Sequence, residues 1–530
     1  MTAQQLPERP NLEQLKRQAK DLLQAAHRGE TSALARFRKL PAFATTRDGG
    51  PSPESLALHD AQSVVAREYG FDSWNALRER VEELTLEFGA AVDQFIEAAT
   101  DGRTGRAERL LELYPRIANA NFTTALLAGD AAAAESRLAQ TPALAVERGG
   151  PRDWEPLLYV CHTSAVRGSA ARREGLVAIA RRLIGLGADP NARFPWLHHG
   201  VRRPVLWGAA CATRVLALTE VLLEAGADPN DGVTLALAAS GGDLGTLEAL
   251  LAHGADVNQA WATDGSASVY AILSWSTTPD GVLWLLEHGA DPDPVFAPNG
   301  ETPMHAVARG WDAAMAEAFV RRGADATRPR ADGRTPYAVA ELNANRSVAD
   351  WLIRNGAATA LSDVDRLVAA CSRGDRASAE AMLRDRPGLR DAIESQHYHA
   401  LYLAAERGDT NALETMLSCG FDANRPDDEI GKTALHVAAM EGRPDAVRVL
   451  LAHGASVAAR DREFHGQPLI WAAEGSRTEH RQGGRHAEVG RLLLDAGSPV
   501  DWDVGAEPSE GILDILEGWR RARDSDTLRR

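Results

Sequence analysis

Four short groupings carry residue types whose spacing could do chemistry. Gly431-Lys432-Thr433 matches the end of a phosphate-cradling loop, in which backbone N–H groups and a lysine hold phosphate oxygens. That loop needs a further glycine five residues before Gly431; Pro426 stands there, and no apolar strand precedes it. His198-His199 and His397-x-His399 each offer two imidazole nitrogens to a metal, but no cysteine or further histidine lies at ligand spacing. Cys161-His162 joins a nucleophile type to a base type. Adjacent side chains on a helix diverge, so the two are not expected to share a proton. His-Glu-x-x-His, Gly-x-Ser-x-Gly and Gly-x-Gly-x-x-Gly runs are absent. The residues therefore assign no catalytic group, no cofactor-binding group and no metal ligand.

The elements that position these residues follow a period. Gly-Ala-Asp-Pro-Asn stands at Gly187–Asn191 and again at Gly226–Asn230, with relatives beginning at Gly254, Gly289, Gly323, Gly356, Gly420, Gly454 and Gly497. The glycines lie roughly 28 to 43 residues apart, except for one gap of about 64 that reads as two repeats with a drifted boundary. Ahead of the glycine, by some 20 residues, stands a second signature: Gly300-Glu301-Thr302-Pro303-Met304-His305, Gly333-Arg334-Thr335-Pro336-Tyr337 and Gly431-Lys432-Thr433-Ala434-Leu435-His436. Threonine caps a helix start, and proline in the first turn presets φ without losing a useful N–H. A short alanine-rich helix follows, then a glycine turn and a second helix with a leucine stripe such as Val447, Leu450 and Leu451. The closing glycine suits a left-handed position, and the Asp and Asn suit a tight turn.

Thr-Pro-Leu-His-type openings in phase with Leu-Leu-x-x-Gly-Ala-Asp closings resemble the ankyrin repeat. The resemblance implies an all-α solenoid of about twelve helix-turn-helix repeats over residues 89–517. In that family the histidine of the signature, here His305 and His436, bonds neighbouring loops. Two repeats near the start, and the drifted one, end in a proline (Pro115, Pro142, Pro387) in place of glycine. With helices packed about 8–10 Å apart, such a stack would be curved and on the order of 100 Å long.

Residues 1–88 do not follow the period. Asn11 reads as a helix cap with Gln14 placed to reach back, and Leu12, Leu15, Ala19, Leu22 and Leu23 share a face. After a polar break from Thr45 to Pro53, a second helical pair is predicted around Asp60–Glu68 and from Ser73, with Trp74, Leu77, Val81 and Leu84 on one face. These phrases resemble a small helical module that precedes ankyrin arrays in bacterial proteins; its expected role is a cap over the first repeat. Residues 518–530 are basic and polar and read as a flexible tail.

A net charge of −16 over 530 residues argues against general nucleic-acid binding. No uninterrupted apolar stretch is long enough to span a membrane, and the N-terminus lacks an apolar signal core. Four cysteines without paired spacing read as reduced, which points to the cytoplasm.

In a solenoid the consensus residues hold the fold, so candidate function lies where the period breaks. Between Arg148 and Arg203 stand ten arginines against four carboxylates, accompanied by Trp154, Tyr159, Trp196 and, just beyond, Trp207. Arginine with large aromatic rings is enriched at protein hot spots and grips carboxylates in a fork. Only four lysines occur among the 58 basic residues, so arginine is also this chain's default cation. A second break, Glu474 to His486, reads as a surface loop, and Tyr270, Trp275, Tyr402 and Trp471 are large for inner helices. The expectation is a non-catalytic scaffold that binds a protein partner on the concave face and turn tips. The partner is expected to be acidic where it meets Arg152, Trp154, Trp196, Arg202, Arg203 and Trp207. Two alternatives share the residues: an enzyme or small-ligand binder with its site in the N-terminal module, and a bacterial effector or immunity factor.

Overall fold

The computed structural model describes residues 4–7, 9–40, 53, 56, 58–71, 73–101, 104–195, 202–262, 265–274, 276, 278–477 and 484–499. Helices dominate, and the chain forms two compact units: residues 1–306 with 318–324, and residues 307–317 with 325–530. The polar break after Thr45, apart from Pro53, and the tail from residue 518 lie outside the described residues.

The first unit opens with helices Leu12–His27, Thr31–Phe37, Leu58–Glu68 and Trp74–Thr85. Asn11 caps the first, its side chain accepting from the Gln14 N–H, and Ser73 caps the last in the same way. The spacing of Leu15, Ala19 and Leu22 turns one face inward onto Val64, Val65, Trp74, Leu77 and Val81, giving these helices an apolar core of their own. Glu83, 1% exposed, leaves this bundle to meet the Arg109 guanidinium at 2.8–3.0 Å, and Tyr114 donates to the Glu83 carbonyl at 2.9 Å. Arg109 and Tyr114 belong to the next helical pair, Phe88–Thr100 and Thr104–Leu113, and its trailing turn.

Paired helices then recur, as in Phe122–Ala128 with Ala131–Gln140, and Thr234–Ser240 with Leu244–Ala252. Asp130 and Asp243 sit at the turn between the members of a pair and accept the N–H three residues on, stopping the second helix from fraying. Leu247 and Leu250 are fully buried, each contributing roughly 1.5–3 kcal/mol; truncating either to alanine would cost about 2–5 kcal/mol. At the closing glycines Gly187, Gly226, Gly254 and Gly289, φ lies between +90° and +98° with open space where a Cβ would stand. Backbone conformation, not crowding, demands glycine there.

The asparagine of the pentapeptide does more than shape its own turn. Asn191 donates from Nδ2 to the Gly226 carbonyl at 3.0 Å and accepts the Asp228 N–H at 2.8 Å. Asn230 repeats this with Gly254 and Asp256, and Asn258 with Gly289 and Asp291. One amide thus closes a two-bond staple onto the corresponding turn of the following repeat. Where proline replaces the closing glycine the chain takes a 3-10 turn, at Pro115–Asn119 and Pro142–Ala145. An otherwise helical unit is interrupted by a small antiparallel ribbon, Arg193–Pro195 with Arg202–Pro204.

In the second unit the long gap in the period is filled by two helix pairs: Asp363–Ser372 with Arg376–Asp385, and His399–Arg407 with Thr410–Ser418. A 3-10 turn at Pro387–Leu389 separates them. Ala434–Met440 with Pro444–Ala452 and Pro468–Arg477 with His486–Asp495 follow. Asn424 makes the same staple, to Gly454 and Ser456. The Thr433 N–H donates to His436 Nδ1 at 3.1 Å, so the ring proton sits on Nε2, which donates to the Gly466 carbonyl at 3.1 Å.

Candidate interaction surface

The arginine- and tryptophan-rich break is built on the ribbon and the helix pair before it. Helix Pro156–His162 carries Tyr159 and His162 inward, and the ribbon lays Phe194 across them. Tyr159 donates its hydroxyl proton to the Gly149 carbonyl at 2.9 Å and accepts the Arg152 N–H at 3.1 Å, which pins the loop bearing Arg152 and Trp154. The rings pack as one block. Trp154 lies 5.2 Å from Tyr159 and 5.0 Å from Phe194, and His162 lies 4.3 Å from Phe194 and 5.3 Å from Trp207. Arg203 pairs across the ribbon with Phe194 and stacks its guanidinium 3.9 Å above the Trp207 ring.

The structure therefore brings Trp154, Tyr159, Arg203 and Trp207 together with two rings, His162 and Phe194, that the sequence pattern does not group with them. It presents them unequally. Arg152 and Arg202 are exposed, Trp154 and Arg203 are half-buried, and Trp207 is only 9% exposed. Trp196 lies outside the described residues, as do His198, His199 and Trp275. Part of the arginine charge is already met. Arg152 pairs with Asp101, Arg182 with Glu135 at 2.9 Å, and Arg148 with Asp153 at 3.1 Å.

His162 is held neutral at the centre of the block. Its Nδ1 faces the Leu158 carbonyl at 3.1 Å, which fixes the proton there, and Nε2 has no hydrogen-bond partner among the described residues. Burial, aided by the nearby Arg203 charge, lowers its pKa to about 3. Burial also pushes the Cys161 thiol well above the ordinary range, the reverse of what a nucleophilic cysteine needs.

The other groupings are equally committed to the fold. Asp427 Oδ1 accepts the N–H groups of Ile430, Gly431 and Lys432 at 2.6–3.2 Å, taking the donors that a phosphate would use. Its other oxygen pairs with Lys432 at 3.3 Å. His397 is buried against Arg334 and Asp365 while His399 is exposed, so the two imidazoles do not converge. Tyr270 donates to Glu301 at 2.8 Å and stacks on Phe296. No helix of the described residues is long and apolar enough to cross a membrane, and they contain no cluster of three or more potential metal ligands.

The family description for ankyrin repeats in three copies matches residues 367–461 and 401–504. Residues 367–504 of this chain carry ankyrin repeats. Ankyrin repeat and SOCS box protein 6 from Mus musculus is 40% identical over 76 residues, 14% of this chain and 18% of that protein; the Homo sapiens protein is 41% identical over the same share. Palmitoyltransferase Hip14 from Drosophila melanogaster is 37% identical over 95 residues, 18% of this chain and 13% of that protein. The chain thus spans less than a fifth of these relatives, which come from animals. The solved ankyrin repeat domain of human ASB11 is similar at 24% identity and a TM-score of 0.36, covering 46% of this chain and all of that one. Ankyrin repeats are in general protein-interaction modules, which fits a scaffold role.

Proposed function

We propose that this ankyrin array is a non-catalytic, cytoplasmic adaptor that holds a protein partner on its inner helices and turn tips. Residues 1–88 act as a cap on an array spanning residues 89–517; the buried Glu83–Arg109 fork between cap and first helical pair supports that reading. The partner surface centres on Arg152, Trp154, Trp196, Arg202, Arg203 and Trp207, and it takes an acidic partner. One observation supports this: a block of packed rings underlies the ribbon, which carries Arg202 exposed beside the Arg203–Trp207 stack, so little ordering is left to lose on binding. The block itself supplies the scaffold, and the exposed guanidinium groups supply the contact.

Capture from lysate with the full chain and with its Arg202→Glu variant, followed by mass spectrometry, tests the assignment. Acidic proteins lost from the variant are expected. An unchanged set of bound proteins removes the patch from the reading.

A further inference from the structure

The second unit contains a cavity that the arginine patch does not involve. It has a volume of about 430 Å³, within the range of roughly 300–1,000 Å³ typical of ligand sites. Three successive inner helices floor it: His399–Arg407 brings Tyr402, Ala434–Met440 brings Met440, and Pro468–Arg477 brings Trp471. All three side chains are half-buried. The rings are held in place from behind, since Tyr402 donates to the Arg425 carbonyl at 3.1 Å and Trp471 donates to Asp461 at 2.9 Å. A fixed ring pair beside a thioether gives an apolar floor that stays open without rearrangement.

The walls are acidic. Five carboxylates line the cavity against one lysine, Lys432, and that lysine is paired with Asp427. Glu406, Asp428 and Glu429 are exposed and make no ion pair or side-chain hydrogen bond among the described residues. Burial, with the Asp427 and Asp428 charges opposed by that of Arg425, pushes the Tyr402 phenol well above its ordinary range. Aromatic faces and a thioether suit the alkyl stem of a long cationic side chain, and the carboxylates suit its head.

We propose that this groove binds an extended basic peptide of a protein partner. Its arginine or lysine side chains lay their stems over Tyr402, Met440 and Trp471 and set their charges among Glu406, Asp428 and Glu429. Three helices about 8–10 Å apart span about 20 Å, which six or so extended residues cover. The ligand is opposite in charge to the one assigned to the arginine patch, so the two surfaces succeed or fail separately.

The test is fluorescence anisotropy with the full chain and a labelled pool of octapeptides, each with one fixed central residue. Tighter binding of the arginine or lysine pools, weakened by salt, is the expected result. Asp428→Asn with Glu429→Gln should weaken it at least tenfold, and Arg202→Glu should leave it unchanged. Both changes in the groove lie on exposed side chains, so circular dichroism should match the parent. Equal binding of acidic and basic pools, or an unaffected double variant, overturns the proposal. So does tighter peptide binding after residues 519–530 are removed, which would make the chain's own basic end the occupant.

Discussion

His162 offers a quantitative test of how the aromatic block is built, because its ring is neutral, enclosed and short of one partner. Its pKa falls from the ordinary 6.5 to about 3 on folding. Above pH 6.5 both folded and unfolded chains carry a neutral ring, so pH leaves stability untouched. Below 6.5 the unfolded chain takes up a proton that the folded chain refuses, so stability falls as pH falls, and the loss levels off near pH 3. At about 1.4 kcal/mol per pH unit, the descent from well above pH 6.5 to pH 4.5 removes about 2.7 kcal/mol, or roughly 100-fold in the local opening constant. His162→Phe keeps a ring of similar size against Phe194 and Trp207 but cannot titrate. It loses the bond to the Leu158 carbonyl, and it also removes a buried nitrogen that had no partner, so stability at pH 7 should change little. Hydrogen exchange by mass spectrometry resolves this locally, in peptides covering Pro156–His162 and Ala170–Gly185, after correction for intrinsic exchange rates. The parent should lose protection below pH 6.5 while the phenylalanine variant stays flat. An equal loss in both would refute the assignment of a buried, proton-refusing imidazole.

Other sites give separate tests. Asn230→Ala breaks both bonds of one staple and should cost about 1–3 kcal/mol, read as lost exchange protection at Gly254 to Asn258. Gly281→Ala would place a Cβ 1.9 Å from the Ala239 carbonyl oxygen, a backbone atom that cannot swing aside. It should lower the stability of its helix pair by about 1–3 kcal/mol, measured by the same exchange. Asp365 is raised by burial, but hydrogen bonds from His397, Arg334 and Ser362 outweigh this and hold its carboxyl well below the usual range. Its stabilising effect is therefore fully present above the ordinary carboxylate pKa and is lost progressively as pH falls from there through the depressed folded value. With side chains 7% and 10% exposed, Arg334 and Asp365 form a mostly buried pair. Asp365→Asn leaves the guanidinium with Asp332, 2.8 Å from its Nη1, as its remaining carboxylate and should cost about 1–3 kcal/mol at neutral pH, seen as a lower denaturation midpoint of the second unit.

The fold was legible where each repeat reports on itself. Closing glycines announce their left-handed backbone, Thr335 and Pro336 announce a helix start, and apolar spacing announces the buried face. What could not be read was where a side chain's partner comes from another repeat. Asn191 and Asn230 look like turn formers because Asp-Pro-Asn makes a turn on its own, and Gly226 and Gly254 arrive 35 and 24 residues later. The 3-10 turns after Pro115, Pro142 and Pro387 have the same cause in reverse. A local proline changes the local ending, but only the next helix decides that the stack continues.

The arginine patch shows the same limit acting on charge. Counting within residues 148–203 finds ten arginines against four carboxylates, yet Asp101 and Glu135 reach Arg152 and Arg182 from helix pairs earlier in the chain. A window along the sequence counts cations that a solenoid has already matched from next door. Trp207 misleads in a parallel way: its size suggests a contact residue, but the ribbon folds Arg203 over it and the helix turns it inward. Tyr402 and Trp471 stood out only as oversized for their positions. Their meaning depends on three inner helices lining up with the loop that carries Asp428 and Glu429, a juxtaposition of residues as much as 69 positions apart. In an array of this kind, then, the chemically informative quantity is the charge summed across neighbouring repeats at one height of the stack. On that measure the groove keeps its excess of carboxylates, whereas the arginine patch gives up part of its excess of cations to Asp101 and Glu135.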